Sequence, residues 1–215
     1  MKKIWHLFLV FLSLTACQQL KDSANAFMNR NSFETLVNRF ESAERTAYQQ
    51  PEKVMEHIGD VSGQTIMDLG AGTGYFTFRL AKAGAKVIAA DVDDRFINYM
   101  QQKADSLNLT NQVALRKVPY DSPELKPNEV DKFLIVNTYH HVDDRVDYFK
   151  KVKAGLKPKG EAIVIDFFKK QNKVGPPKRY CVSADEVVEE LKAAGFAEFE
   201  VEMDLLEFQY IVRAK

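Results

Sequence analysis

After Gly63 the sequence alternates short apolar runs with segments of helical period, and this alternation limits the fold more than any other feature. The runs TIMDLG, AKVIAAD, NQVALRKV, DKFLIVNTY and EAIVIDFF each have the length and apolar content of a strand. Between them, YFTFRLAKAG, DDRFINYMQQKADSL and DDRVDYFKKVKAGL repeat apolar residues at helical spacing. Strands joined through helices pair in parallel by right-handed crossovers, and helices then cover both faces of the sheet. The rhythm breaks after the helix SADEVVEELKAAG. FAEFEVEMD and LLEFQYIVRAK follow with only a turn between them, which requires an antiparallel hairpin. The expectation is an α/β, doubly wound sheet, mostly parallel, with an antiparallel hairpin strand at its C-terminal end.

Residues 32–59 read as a helical segment at the N-terminal side of this domain, which spans 32–215. Phe33, Leu36, Val37 and Phe40 fall at helical spacing, and Pro51 opens a further helix that ends near Gly59. With 46% hydrophobic and 28% charged residues, the chain is neither disordered nor membrane-spanning throughout. Its 30 basic residues balance 30 acidic ones, so no nucleic-acid partner is expected. Cys17 and Cys181 are too few for a disulfide framework. Cys181, beside Tyr180 before a helix start, reads as a half-buried, unreactive thiol.

Residues 1–17 read MKKIWHLFLVFLSLTAC: two lysines, an apolar run from Ile4 to Leu14, then small residues leading to a cysteine. This is signal-peptide anatomy, and the run is well short of the ~20 residues a spanning helix needs. Leu14-Thr15-Ala16-Cys17 resembles a bacterial lipobox, in which the cysteine is lipidated and becomes the new N-terminus. The resemblance implies a signal peptide over 1–16, lipidation at Cys17, a tether over 17–31, and an exported protein held on the cell envelope through a lipid anchor.

Asp68-Leu69-Gly70-Ala71-Gly72-Thr73-Gly74 sits where the first strand gives way to a helix. Glycines there allow a tight turn and let a ligand approach the main chain. A dinucleotide fingerprint would place its third glycine at position 75, which is Tyr75. Asp91 ends the second strand, where a carboxylate can accept hydrogen bonds from both hydroxyls of a ribose. Asp93 or Asp94 is better placed to cap the helix that follows.

The D-x-G-x-G-x-G pattern followed by an aromatic closely resembles the first motif of class I S-adenosylmethionine-dependent methyltransferases. The resemblance covers roughly residues 60–215 and implies a Rossmann-like sheet of seven strands with the last antiparallel. It also implies roles. Asp68 and the loop Gly70, Ala71, Gly72 and Gly74 would hold the amino-acid end of S-adenosylmethionine, and Asp91 with Val92 its ribose. Val118 and Pro119, before Tyr120, would meet its adenine, and the Asn137 carbonyl its ammonium group. The acidic residue common near the adenine amine is not evident after the third strand.

Ligands of open α/β sheets bind beyond the carboxyl ends of the strands, so the acceptor side lies after the fourth and fifth runs. His140 or His141 is a candidate base for an acceptor that must lose a proton. Core packing and helix capping are the alternatives for these two side chains. Tyr139, Asp166 and Phe168 are candidates to face the substrate, and Tyr75, Tyr139, Phe167 and Phe168 to line a sulfonium-tolerant pocket. Adjacent histidines on a strand diverge to opposite faces, so no metal site is expected. Loop 174–180 and the helix carrying Tyr48 and Gln49 are candidate lids. The string NTYHHV resembles a branch of small-molecule methyltransferases on bacterial lipoproteins, which implies a small-molecule acceptor without naming it. An exported adenosyl-ligand binding protein that performs no catalysis is the alternative reading, because the same residues serve binding alone.

Overall fold

The computed structural model describes residues 23–215, so the leader and Cys17 lie outside the described residues. One sheet runs through the domain, built from β1 (Thr65–Leu69), β2 (Lys86–Asp91), β3 (Val113–Lys117), β4 (Val130–Val136), β5 (Leu156–Phe167), β6 (Phe199–Glu202) and β7 (Gln209–Ala214). The strand order is β3-β2-β1-β4-β5-β7-β6. Strands β1 to β5 pair in parallel, and β7 is antiparallel to both β5 and β6. This is the seven-stranded Rossmann-like sheet expected from the sequence.

Strand alternation divides the core between the two faces. Met67, Phe133 and Val164 pack in one buried cluster, and their neighbours Ile66, Leu134 and Ile163 in the other. A period of two dictates this split, and helices seal both faces. Sequence order places β2 and β3 on one side of β1 and β4 on the other. The crevice beyond the carboxyl ends of β1 and β4 is therefore the switch point at which such sheets take ligands.

The crossover helices are α5 (Thr77–Lys82), α6 (Asp94–Ser106), α7 (Arg145–Gly155) and α8 (Ala184–Ala193), preceded among the described residues by four helices of five to eight residues. Asp93 caps α6 by accepting the Arg95 N–H at 2.9 Å. Ser183 and Glu186 form a reciprocal capping box on α8.

The N-terminal segment departs from the sequence reading. The tether expected over 17–31 is helical from Ala24 to Met28 (α1), where Ser23 accepts the Ala26 N–H. The run 32–50 is two helices rather than one, α2 (Phe33–Phe40) and α3 (Ala43–Gln49), because Ser42 starts a new helix by accepting the Arg45 N–H. Gln50 adopts φ 42° before Pro51 opens α4 (Pro51–Ile58). Among the described residues no helix is long and apolar enough to cross a membrane.

Candidate active site

A cavity of about 390 Å³ lies over the carboxyl ends of β1, β2 and β4. Gly70, Ala71 and Gly72 form its floor. The Gly70 and Ala71 N–H groups donate to Ala90 O at 2.8 and 3.1 Å, which fixes the turn against β2. Gly70 has φ 67°, and a Cβ there would meet the Thr138 side chain at 2.5 Å. Gly74 (φ 76°) is used differently from the expectation. It does not line the cavity, and a Cβ on it would strike the Phe78 ring at 2.3 Å, so its bareness lets α5 pack close.

Asp91 borders the cavity and is only 6% exposed. Its Oδ2 accepts the Gly72 N–H at 2.8 Å and its Oδ1 accepts the Asp93 N–H at 3.0 Å. Each oxygen keeps a lone pair for a further donor. Burial pushes the carboxyl up to about 6, against the opposing effect of these backbone bonds. Asp68 lies beneath the loop and not on the cavity. It accepts the Thr77 hydroxyl at 2.6 Å and is likewise raised by burial to about 6. Its place is to tie β1 to the start of α5. Val92, Val118, Pro119 and Tyr120 line the far end of the cavity.

Asn137 ends β4 in the left-handed conformation (φ 56°) and donates its N–H to Ile165 O at 2.8 Å. Its side chain enters a closed ring of three amides. Asn137 Nδ2 donates to Gln49 Oε1 at 2.9 Å, Gln49 Nε2 donates to Gln209 Oε1 at 3.0 Å, and Gln209 Nε2 donates back to Asn137 Oδ1. Gln49 and Gln209 are buried, so the ring satisfies groups that would otherwise be costly.

The two histidines stand on a single turn of 3₁₀ helix, Tyr139–His141, and not on strand. Their rings therefore lie side by side, with centroids 4.3 Å apart, instead of diverging, and both line the cavity. His140 Nδ1 is 2.9 Å from both oxygens of Asp166, and the His140 N–H donates to Asp166 Oδ2 at 3.1 Å. Asp166 is fully buried and away from the cavity, so it holds His140 rather than meeting a substrate. Its carboxylate keeps the ring proton on Nδ1 and leaves Nε2 as the basic atom.

His141 is held from the N-terminal segment. Asn25 Nδ2 donates to His141 O at 3.0 Å, which turns Asn25 Oδ1 toward His141 Nδ1 at 2.9 Å. A carbonyl only accepts, so the amide orientation follows, and His141 carries its proton on Nδ1. Its Nε2 is buried and has no partner. Burial and the neighbouring His140 push the imidazole down to about 3, so it stays neutral.

Three other expectations are corrected. Tyr139 points into the core against Phe149, its hydroxyl donating to Glu190 Oε2 at 2.6 Å. Phe168 packs on Tyr210, while Phe167 reaches the cavity and meets Tyr48, because successive strand residues face opposite ways. Tyr75 is clasped between the guanidinium groups of Arg45 and Arg79, at 4.1 and 4.0 Å from its ring centre, and does not line the cavity. Burial raises the Cys181 thiol to about 11, in keeping with an unreactive group.

The roof takes in both lids expected from the sequence, the helix carrying Tyr48 and the loop 174–180, and adds α1, which the sequence reading left in the tether. Asn25, Phe27, Arg39, Arg45 and Tyr48 from α1 to α3, together with Val174 and Pro176, close over the floor. Phe27 packs on Tyr180 across the opening, with ring centres 5.7 Å apart.

A glycine turn backed by a ribose-ready aspartate, at the switch point of a sheet whose seventh strand is antiparallel, defines a class I, Rossmann-like S-adenosylmethionine-dependent methyltransferase. The chain belongs to the methyltransferase-domain family, whose pattern matches residues 60–204. The helices of the roof precede that match. Among curated proteins, the tRNA U34 carboxymethyltransferase of Pseudoalteromonas translucida is 29% identical over 115 residues, 53% of this chain and 35% of that protein. The enzyme of the same name from Ruthia magnifica is 29% identical over 138 residues, covering 60% and 41%. The chain thus spans about a third of the length of the first of these relatives. A solved SAM-dependent methyltransferase from Aquifex aeolicus superposes with a TM-score of 0.77 at 26% identity, covering 86% of this chain and 98% of that one. The glycopeptide N-methyltransferase MtfA, solved with S-adenosyl-L-methionine, shares the fold at 14% identity, with a TM-score of 0.64 over 77% of this chain and 86% of that one.

Proposed function

We propose that the cavity binds S-adenosylmethionine across the Gly70–Gly72 floor and passes its methyl group to a small, protic acceptor held beside His140. The observation that carries this reading is Asp91: a buried carboxylate on the cavity wall that fixes the Gly72 amide and keeps a lone pair on each oxygen. Two adjacent hydroxyls of a ribose fit those lone pairs, and the bare Gly72 leaves room for the chain beyond. S-adenosylmethionine supplies an electrophilic methyl on a sulfonium. Val118 and Pro119 give an apolar slot for a base, and the Asn137 main chain lies within reach of the amino-acid end.

The protein's own work is alignment and proton removal. Displacement at a methyl group needs the nucleophile in line, and the roof of α1 to α3 encloses the space in which an acceptor is held. His140 Nε2 takes the acceptor's proton while Asp166 stabilises the imidazolium through Nδ1. The even charge balance of the chain favours a small acceptor over a tRNA, whose phosphates call for a basic surface. The N-terminal sequence supports export and lipidation at Cys17.

Two measurements test the reading. Transfer of labelled methyl from S-adenosylmethionine into the small-molecule fraction of a cell-envelope extract is expected; label in tRNA, or in nothing, overturns the acceptor class. Cys17→Ser should abolish membrane fractionation, and a substituted protein processed and fractionating like the parent removes the anchor.

A further inference from the structure

His141 brings to the cavity an acceptor atom that the protein leaves unmatched. Its backbone carbonyl accepts the Asn25 Nδ2–H at 3.0 Å, and its Nδ1–H donates to Asn25 Oδ1 at 2.9 Å. That pair fixes the ring and its tautomer, so Nε2 carries a lone pair and no proton. Nε2 is enclosed and has no hydrogen-bond partner among the described residues, while the side chain lines the cavity. An apolar side chain of the same shape would fill this space without leaving a buried acceptor bare, so packing does not account for the imidazole. A donor on a ligand does.

His140 stands beside it in the same sense. Asp166 holds Nδ1 of His140 as Asn25 holds Nδ1 of His141, so each ring turns its Nε2 lone pair away from its anchor. The ring centres are 4.3 Å apart. Two Nε2 acceptors on rings this close are within reach of donors on neighbouring atoms of one small molecule. Phe27, Tyr48, Phe167 and Tyr180 give the same cavity flat apolar walls that suit an aromatic body. We infer that the methyl acceptor is an aromatic ring with two adjacent hydroxyls, one facing His140 and the other held by His141, which makes His141 the residue that selects the acceptor. The inference rests on the methyl-transfer reading above. The oxygen facing His140 bonds to the methyl as the S–C bond breaks. Its proton passes to His140 Nε2, and the electron pair of the broken bond leaves with the sulfur. The second hydroxyl keeps its proton, shared with His141 Nε2, and stays unmethylated.

Catechol and phenol are the probes, titrated into the full chain saturated with S-adenosylhomocysteine. Catechol should bind roughly 10- to 100-fold more tightly than phenol, the worth of satisfying one buried acceptor. His141→Phe should remove that preference and leave the affinity for S-adenosylhomocysteine nearly unchanged. If His141→Phe does not fold, the parent decides alone: in ¹⁵N-histidine NMR, catechol should move the His141 Nε2 resonance upfield and phenol should leave it in place. Equal binding of the two probes by the parent, an unmoved His141 resonance, or a preference that survives in His141→Phe overturns the role of His141. A parent that binds S-adenosylhomocysteine but neither probe overturns the acceptor with adjacent hydroxyls. In each of these cases the methyl-transfer reading stands or falls by the label from the envelope extract. A parent that does not bind S-adenosylhomocysteine overturns both.

Discussion

Asp166 holds His140 through a contact of 2.9 Å from each carboxylate oxygen to Nδ1, with both side chains almost wholly enclosed. A carboxylate so placed fixes the tautomer and prepares the ring to take a proton at Nε2. His140→Ala should lower methyl transfer roughly 10²–10⁴-fold while leaving the affinity for S-adenosylhomocysteine nearly unchanged. Asp166→Asn should lower transfer without displacing the ring, because shape is kept and charge is lost. Turnover with labelled S-adenosylmethionine, beside calorimetric titration, separates the two effects. Unchanged transfer in His140→Ala would remove the base.

The acidic pair at the cofactor end titrates in an unusual window. Burial raises Asp68 and Asp91 from 3.8 to about 6 in the folded chain. Both therefore bind protons more readily folded than unfolded, and their share of stability is complete below about 4 and lost as pH rises through about 6. Ligand affinity runs the other way, since ribose hydroxyls donate to a charged Asp91. Affinity for S-adenosylhomocysteine should be full above about pH 6 and fall by up to about tenfold per unit below it. Asp91→Asn should flatten that fall, and any slope left reports Asp68. A parent affinity constant from pH 5 to 8 would contradict the assignment.

The glycines of the turn should separate stability from binding. Gly72→Ala and Gly74→Ala both place a side chain at positive φ, 56° and 76°, at a cost of roughly 1–2 kcal/mol. Gly74→Ala also drives a methyl into the Phe78 ring at 2.3 Å, whereas on Gly72 it meets the edge of the Phe40 ring at 3.3 Å. Gly74→Ala should lower the melting temperature further, whereas Gly72→Ala should weaken S-adenosylhomocysteine more. The reverse ranking in paired melting and titration experiments would show that the floor of the cavity is misassigned.

Asn25 reaches His141 from 116 residues away in sequence. Asn25→Leu leaves the buried Nδ1–H and carbonyl of His141 unsatisfied, a loss of roughly 1–3 kcal/mol. In ¹⁵N-histidine NMR, the parent should show His141 protonated at Nδ1 alone, and the variant a mixture of tautomers. A parent signal with the proton on Nε2 would contradict the geometry.

The sheet was legible because each strand is a local apolar run, and the glycine turn because it interrupts one. Asp91 was legible as the last residue of such a run. The contacts that close the roof were not. Asn25 meets His141, and Gln49 meets Gln209 160 positions away, through side chains that follow no local period. The histidines were legible as residues beyond the fourth strand, but the inward turn of Tyr139 and the closeness of the two rings were not, because a 3₁₀ turn after β4 carries no pattern of its own.

The most direct test of the account is the calorimetric affinity of Asp91→Ala for S-adenosylhomocysteine. Two charge-assisted hydrogen bonds to the ribose, each contributing ~1.5–3 kcal/mol, predict a net loss of roughly 2–4 kcal/mol, or about 30- to 1,000-fold, with the fold retained. An Asp91→Ala protein of parental affinity and lowered melting temperature would show instead that Asp91 serves only the Gly72 and Asp93 amides, and would contradict the cofactor site.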